Sequence, residues 1–286
     1  IGTHGVKMAN AAVNECDVLF LVGARVGDRA VKTPLALEKT TKIIHIDIDP
    51  AEIGKNIGAD LPLVGDAKLV LQQMTELAKP MKHDEWIAHI KTLGGERKYV
   101  EPAKGTVNPR VFIDRLAKKM PANVTVVADV GQNQIWTCTE YKFRKEGRLL
   151  TSGGMGTMGY SVPAAIGAKM ADDSRATVAI CGDGAFQMSF MELATAVQFG
   201  VDIKVAVMTN NRLGMVRELQ TNGYHDRQTA VFLDGSPDFI KLAEAYGIPA
   251  MRVYDDATME KGVEMLAEHK GICLVEVVVD KDMPTL

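Results

Sequence analysis

The sequence predicts an α/β fold in which a doubly wound parallel sheet is preceded by part of a second, Rossmann-like α/β domain. Two observations support this prediction. Uninterrupted apolar runs of strand length alternate with stretches of helical period, which is typical of a parallel sheet covered on both faces. A stretch rich in proline, glycine and charge interrupts that alternation once. We therefore expect two domains joined by a linker.

The elements are predicted in three blocks. The partial first domain occupies residues 1–79, with helices at 6–14 and 66–78 and strands at 17–22, Lys42–Asp47 and Leu61–Val64. Residues 80–108 form the linker, in which there is room for one short helix. The larger domain occupies residues 109–286. Its helices are expected at 110–120, 161–170, 186–199, 238–246 and 257–269, and its strands at 124–129, 177–181, 203–209, 251–253 and 272–279.

The composition excludes some classes of partner. Of the 286 residues, 47% are hydrophobic and 24% are charged, with a formal net charge of −3 and a pI near 6.1. Such a surface attracts neither nucleic acid nor a membrane, so the expected partner is a small molecule. No apolar run reaches the length of a membrane helix. The four cysteines lack C-x-x-C spacing, and we expect them to be buried thiols in a reducing cytoplasm.

A G-D-G turn is the first candidate for chemistry. The apolar strand 177–181 leads into Gly182-Asp183-Gly184, and a helix is predicted behind it. At the carboxyl end of a parallel strand, such a turn lets the backbone approach a phosphate while the carboxylate points at a metal. The alternative is a tight turn with a helix-capping aspartate. The core-facing side of the predicted helix should carry Phe190, Leu193, Ala194 and Val197.

The next strand supplies a partner for this turn. It ends in Asn210-Asn211, and 25 residues separate Gly184 from Asn210. Parallel strands end at the same edge of a sheet, so we expect Asp183 and Asn211 to converge. One carboxylate with neutral oxygens suits a Mg²⁺ ion that also holds a diphosphate. Taken alone, the asparagine pair fits a plain turn, but together the two motifs match the signature of thiamine diphosphate enzymes.

Longer stretches resemble the large subunit of acetohydroxyacid synthase, also called acetolactate synthase. The resemblance covers essentially the whole chain and implies the thiamine diphosphate-binding fold for residues 109–286. The matching stretches are S-G-G-M-G-T-M-G-Y-S-V-P at 152–163, G-D-G-A-F-Q-M-S-F-M-E-L at 182–193, N-N-R-L-G-M-V at 210–216 and H-I-D-I-D-P-A-E-I-G-K at 45–55.

This resemblance implies roles for residues of the larger domain. Mg²⁺ would be bound by the Asp183 carboxylate, the Asn211 side-chain oxygen and the Leu213 backbone carbonyl. For Met158, which would prop the cofactor into a bent form, and for Met215, ordinary core packing is the alternative. The cofactor contacts implied beside these are Gln132, Asn133, Gly182 and the backbone N–H groups of Gly184, Ala185 and Phe186.

The implied activity is that of a transferase in branched-chain amino-acid biosynthesis. Pyruvate is decarboxylated, and the remaining two-carbon unit condenses with a second 2-ketoacid, pyruvate or 2-ketobutyrate. The alternatives are another thiamine diphosphate carboligase, a 2-ketoacid decarboxylase, or a non-catalytic cofactor-binding module. Family members form dimers or tetramers, often with a small regulatory subunit. Their activating glutamate lies on an amino-terminal domain, which we expect to precede Ile1, so we expect these 286 residues to hold no catalytic residue and to be inactive alone.

The resemblance also implies that the first domain binds FAD without a redox role. Thr3 and Val26-Gly27-Asp28 depart from the family pattern and no G-x-G-x-x-G is present, so a flavin-free domain is the alternative. The implied FAD contacts are His4, Gly23, Arg25, Arg29, Asp47 and Asp66.

Three further features of the sequence could affect ligand binding. His45, inside an apolar strand, is expected to be a hydrogen-bonded core or edge histidine, and a ligand-binding role is the alternative. The polar segment 224–227 is either a lid over the site or a solvated loop. Leu219 stands where many family members have tryptophan, which leaves the acceptor 2-ketoacid open.

Overall fold

The computed structural model describes residues 1–95 and 99–285. The chain divides into two compact units, Ile1–Arg97 and Lys98–Leu286. The division falls inside the segment that was predicted as a linker. No helix within the described ranges has the length and apolar character of a membrane span.

The first unit contains a three-stranded parallel sheet of order β1-β2-β3. Its strands are β1 (Val18–Val22), β2 (Lys42–Asp47) and β3 (Leu61–Val64), close to the predicted positions. One face packs on a small core that includes Leu21, Leu37 and Ile43. The helices are α1 (Lys7–Glu15), α2 (Pro34–Glu38), α3 (Ala67–Leu77) and α4 (Asp84–Thr92).

Two details of this unit bear on the predictions. Helix α4 lies within residues 80–108 and packs on α1, where His89 Nε2 is 2.6 Å from Glu15 Oε2. His45 is buried in β2, and neither of its ring nitrogens has a hydrogen-bond partner among the described residues. His45 is therefore a core residue, as expected, but the expectation that its ring is satisfied by hydrogen bonds was wrong for the described residues.

The second unit contains a six-stranded, all-parallel sheet of order β5-β4-β6-β7-β9-β8. The strands are β4 (Thr125–Ala128), β5 (Arg148–Thr151), β6 (Thr177–Gly182), β7 (Lys204–Thr209), β8 (Ala250–Val253) and β9 (Cys273–Val278). The helices are α5 (Pro109–Lys119), α6 (Gln132–Glu140), α7 (Ser161–Ala171), α8 (Asp183–Gln187), α9 (Leu193–Gln198), α10 (Gly214–Gly223), α11 (Phe239–Ala245) and α12 (Asp256–Glu268).

Alternate strand residues bury on opposite faces of this sheet. Val178 and Ile180 of β6 join a core with Phe112 of α5 and Met259 of α12. Ala179 and Cys181 point the other way, into a core formed with α7, α8, α9 and α11. Helices therefore cover both faces, which confirms the doubly wound α/β prediction.

The helix predicted at 186–199 was wrong in its extent. It is two short helices, α8 and α9, separated by a 3₁₀ turn at Phe190–Glu192. The interruption changes the helical phase, so Leu193 and Ala196 are buried whereas Ala194 is exposed and Val197 is 44% exposed. The predicted face of four residues is therefore broken up.

Candidate cofactor site at the switch point of the larger sheet

The strand order of the larger sheet reverses between β4 and β6. From β4 the chain first adds β5 on one side and then crosses over to place β6 on the other. In open α/β sheets, ligands bind beyond the carboxyl ends of the strands at such a switch point. A cleft of about 570 Å³, including the space that opens to solvent, lies there. It is lined by segments 130–133, 182–185 and 212–216, with Trp136, Met158, Met208 and Asn210.

Asp183 lies in this cleft with its carboxylate nearly inaccessible to solvent, the residue being 1% exposed. Oδ1 accepts a hydrogen bond from Gly184 N (2.8 Å), and Oδ2 accepts from Asn211 N (2.6 Å) and Asn210 N (3.2 Å). Burial raises the pKa of this carboxyl to about 6, although the three backbone N–H groups oppose the shift. No cationic side chain in the described ranges pairs with it. A bound cation would stabilise the ionised form of this carboxylate, which burial disfavours.

The two strand ends predicted to meet are joined through the backbone. Asn211 has φ +54°, a left-handed conformation that asparagine tolerates, and this turn directs two successive N–H groups at Asp183. The Asn211 side chain, which was expected to converge with the Asp183 carboxylate, is exposed and lines a neighbouring cleft with Arg212 and Asp234 because the left-handed turn directs its backbone N–H, and not its side chain, at Asp183. The Leu213 carbonyl accepts a hydrogen bond from Arg217 N at 2.9 Å.

Close packing explains the glycine at position 184. A Cβ there would lie 2.7 Å from Leu213 Cδ2 and 3.3 Å from Met158 Cε. The N–H of Gly184 donates to Asp183 Oδ1, so it is already engaged. Ala185 lines the cleft, whereas the Phe186 side chain is buried in the core, with its ring 5.4 Å from that of Phe239 in a T-shaped contact. Any contact from Phe186 to a ligand would therefore come from its backbone.

Asn133 ties the ends of two strands together. Its Nδ2 donates to the carbonyls of Asp129 (2.8 Å) and Ile180 (3.1 Å), one following β4 and the other within β6. The side chain is buried, and Oδ1 lies against Gly131 and Gly182. The side-chain amide of Asn133 thus links β4 to β6 at the switch point, and the residue also lines the cleft.

Gln132 begins α6 and lines the cleft next to Asn210 and Gly214. Its Oε1 accepts from Asn210 Nδ2 at 3.2 Å. A Cβ on Gly214 would overlap that oxygen, so a larger residue at this position would displace the Gln132 side chain. Gln132 and the asparagine pair are therefore in direct contact.

Sequence reasoning missed Asp129, which follows β4. Its carboxylate is fully buried and accepts hydrogen bonds from the backbone N–H groups of Val130 (2.8 Å), Gly159 (3.1 Å) and Ser161 (2.8 Å). These bonds fix the loop that carries Met158. The available signal was an aspartate at the end of an apolar strand next to the cleft-lining glutamine.

Met158 and Met215 both line the cleft and are partly buried. Met158 also packs against the core on the α7 and α8 side of the sheet. Met158 therefore packs as the alternative requires, and its contact with a cofactor stays a prediction.

In the first unit, three of the predicted flavin contacts lie along the carboxyl ends of the strands. Gly23 N donates to Ile46 O (2.9 Å), and Gly65 N donates to Asp47 O (2.9 Å). Asp66 caps α3 by accepting from Leu69 N at 3.1 Å.

The other predicted flavin contacts lie on nearby loops. His4 ends a 3₁₀ turn whose Thr3 N donates to Arg29 O at 2.9 Å. Arg25 is exposed, and its carbonyl accepts from Asn56 Nδ2.

Comparison with known proteins gives concordant matches. Residues 129–277 match the family model described as the thiamine pyrophosphate enzyme C-terminal TPP binding domain, and residues 1–74 match the central domain of thiamine pyrophosphate enzymes. A probable acetolactate synthase large subunit of Methanocaldococcus jannaschii is 40% identical over 98% of this chain and 49% of its own length. The acetolactate synthase large subunit of Lactococcus lactis is 36% identical, again over 98% and 49%.

The isozyme 2 large subunit of Escherichia coli acetolactate synthase is 35% identical over 98% of this chain and 51% of its own length. The chain thus spans about half the length of these relatives. The switch-point cleft, with its G-D-G turn joined to the asparagine pair, lies inside the matched thiamine pyrophosphate-binding domain. This chain belongs to the thiamine pyrophosphate enzyme family and is similar to acetolactate synthase large subunits over nearly its whole length.

Proposed function

We propose that this chain binds thiamine diphosphate together with Mg²⁺ in the switch-point cleft, and that it serves acetolactate synthesis as part of a full-length enzyme. In that reaction pyruvate is decarboxylated, and the remaining two-carbon unit joins a second 2-ketoacid. One observation carries the proposal: the Asp183 carboxylate is buried in the cleft, without a cationic partner in the described part of the chain, and is held by the N–H groups of Asn210 and Asn211.

The donor set suits Mg²⁺. It would consist of the Asp183 carboxylate, the Leu213 carbonyl and the Asn211 side-chain oxygen, that is, one charged and two neutral oxygens. The Asn211 side chain lines the neighbouring cleft and would have to turn towards Asp183 to join this set. Mg²⁺ keeps several positions for water and phosphate, so a small protein share is appropriate. A cation would also offset the desolvation that raises the pKa of Asp183.

The remaining cleft residues would bind and orient the cofactor. Ala185 and Phe186 offer backbone N–H groups at the first turn of α8, which has only five residues, so the individual donors matter more than a helix dipole. Gln132 and Met215 line the same cleft, and Met158 lies against Gly184. When bound, thiamine diphosphate supplies the carbanion-stabilising centre that 2-ketoacid decarboxylation needs.

We propose further that the first unit binds FAD. The residues are His4, Gly23, Arg25, Arg29, Asp47 and Asp66, three of which follow strand ends. A carboxylate at a strand end, such as that of Asp47, suits a ribose hydroxyl. The full-length protein is proposed to act in the cytoplasm as a homo-oligomer that also binds a small regulatory subunit.

Isothermal titration calorimetry tests the binding step. Thiamine diphosphate is titrated into the 286-residue chain with and without Mg²⁺. We expect Mg²⁺-dependent binding that Asp183→Asn abolishes, whereas Asp256→Asn, on the exposed start of α12, binds as the unaltered chain does. Binding that is absent, or equal in the Asp183→Asn variant, would contradict the proposal.

Activity is tested with a full-length protein that contains this chain. Acetolactate formed from pyruvate is expected. Acetaldehyde as the main product would indicate a decarboxylase. Cofactor binding without turnover of any 2-ketoacid would indicate a binding module.

A further inference from the structure

The segment 282–285 is attached to three helices by four successive contacts. Arg217 NH1 of α10 lies 3.7 Å from Asp282 Oδ1. The other contacts are hydrogen bonds to backbone carbonyls: Gln132 Nε2 to Met283 O (2.9 Å), Trp136 Nε1 to Pro284 O (3.2 Å) and Arg110 NH2 to Thr285 O (2.6 Å). Both donors from α6, Gln132 and Trp136, line the switch-point cleft.

Thr285 also connects Gln132 to a carboxylate. The Gln132 Nε2 group donates to Thr285 Oγ1 at 3.0 Å, and that hydroxyl donates to Glu218 Oε2 in α10. Glu218 further accepts from Thr285 N, at 3.2 Å to each oxygen, and lies 3.4 Å from Gln132 Nε2. Gln132 and Thr285 are both buried, so water does not replace these partners readily.

These contacts determine which way the Gln132 amide faces. Three acceptors surround its nitrogen: Met283 O, Thr285 Oγ1 and Glu218 Oε2. The flipped amide would place an oxygen against a carbonyl and a carboxylate, which is repulsive. The unflipped amide directs its oxygen at Asn210 Nδ2, beside the metal-binding turn.

We propose that Thr285 and Glu218 are positioning residues that hold Gln132 for cofactor binding. This inference rests on the proposed thiamine diphosphate site. Neither residue lines the cleft itself, and each acts through Gln132. The relay from amide to hydroxyl to carboxylate couples the segment 282–285 to the wall of the cleft.

The first test needs no cofactor. The side-chain amide signals of Gln132 are assigned by NMR in the ligand-free chain by comparison with Gln132→Ala. We expect two well-dispersed, slowly exchanging amide protons in the unaltered chain. Thr285→Val should move the proton donated to Thr285 towards solvent-exposed values while Met283 O still accepts the other, and Thr285→Ser, which keeps the hydroxyl, should retain both. Equal spectra for the serine and valine variants would overturn the inference.

The second test is a double-mutant cycle on cofactor affinity. Thr285→Val should weaken Mg²⁺-dependent thiamine diphosphate binding about tenfold, as expected for loss of a hydrogen bond to a charged relay. In a Gln132→Ala background the same change should have no further effect. An undiminished effect in that background, or a lower Tm with unchanged Kd, would refute the positioning role. If the unaltered chain did not bind the cofactor, the proposed function would fail, and the NMR comparison would still decide whether Thr285 holds Gln132.

Discussion

The buried carboxylate of Asp183 makes the stability of the ligand-free chain depend on pH in a definite direction. Its folded-state pKa, about 6, lies above the ordinary value of 3.8. As pH rises, the unfolded chain therefore releases this proton first. The stabilisation associated with the protonated carboxyl is fully present below about pH 4 and is lost as pH rises through about 6. Asp183→Asn removes the titration.

The size of the effect follows from the two pKa values. Between pH 4 and pH 7, linkage with values of 3.8 and about 6 gives a loss of about 2 kcal/mol from the unaltered chain that the asparagine variant does not suffer. The asparagine also loses hydrogen bonds from backbone N–H groups, but that cost is the same at every pH. The difference in unfolding free energy, variant minus unaltered chain, should therefore rise by about 2 kcal/mol over this range.

Urea denaturation in the presence of a chelator measures this difference. A Trp86→Phe background leaves Trp136 as the one tryptophan, so its fluorescence reports on the second unit. Thr177→Val is the control, because its buried hydroxyl has no hydrogen-bond partner among the described residues and the change removes no ionisable group. The control difference should stay constant from pH 4 to pH 7. A difference between the Asp183→Asn variant and the unaltered chain that is equally constant would refute the reasoning.

Three other substitutions have defined outcomes. Gly184→Ala places a Cβ 2.7 Å from Leu213 Cδ2, so the Leu213 side chain must shift within the cleft and thiamine diphosphate binding should weaken, and an unchanged calorimetric Kd would contradict a role of this packing in binding. Phe186→Ala should lower the unfolding free energy by about 3–5 kcal/mol in urea denaturation, and a loss below about 1 kcal/mol would be inconsistent with its complete burial. Asp129→Asn cannot satisfy all three donors, so it should cost about 1–3 kcal/mol and speed amide exchange at Ser161, whereas unaltered exchange there would disprove the anchoring role.

The regular elements of the larger unit were largely predictable because of how they are buried. Strands such as β6 and β7 are covered on both faces, which requires continuous apolar runs that stand out in a sequence. Helix α6 was missed for the converse reason. It contains Gln132, Asn133, Gln134, Thr137 and Glu140, all buried, so it has no apolar stripe of helical period. Gln132 bonds to partners distant in the chain, whereas Asn133 and Thr137 bond to carbonyls four residues before them.

The sequence alone determined the doubly wound architecture and the meeting of the G-D-G turn with the asparagine pair, because parallel strands that follow one another must end at the same edge. Only the tertiary structure decided the raised pKa of Asp183 and the bonds that orient Gln132. The first depends on how completely surrounding segments exclude water. The second depends on Met283 and Thr285, which lie 151 and 153 residues further along the chain and leave no local pattern in the sequence around Gln132.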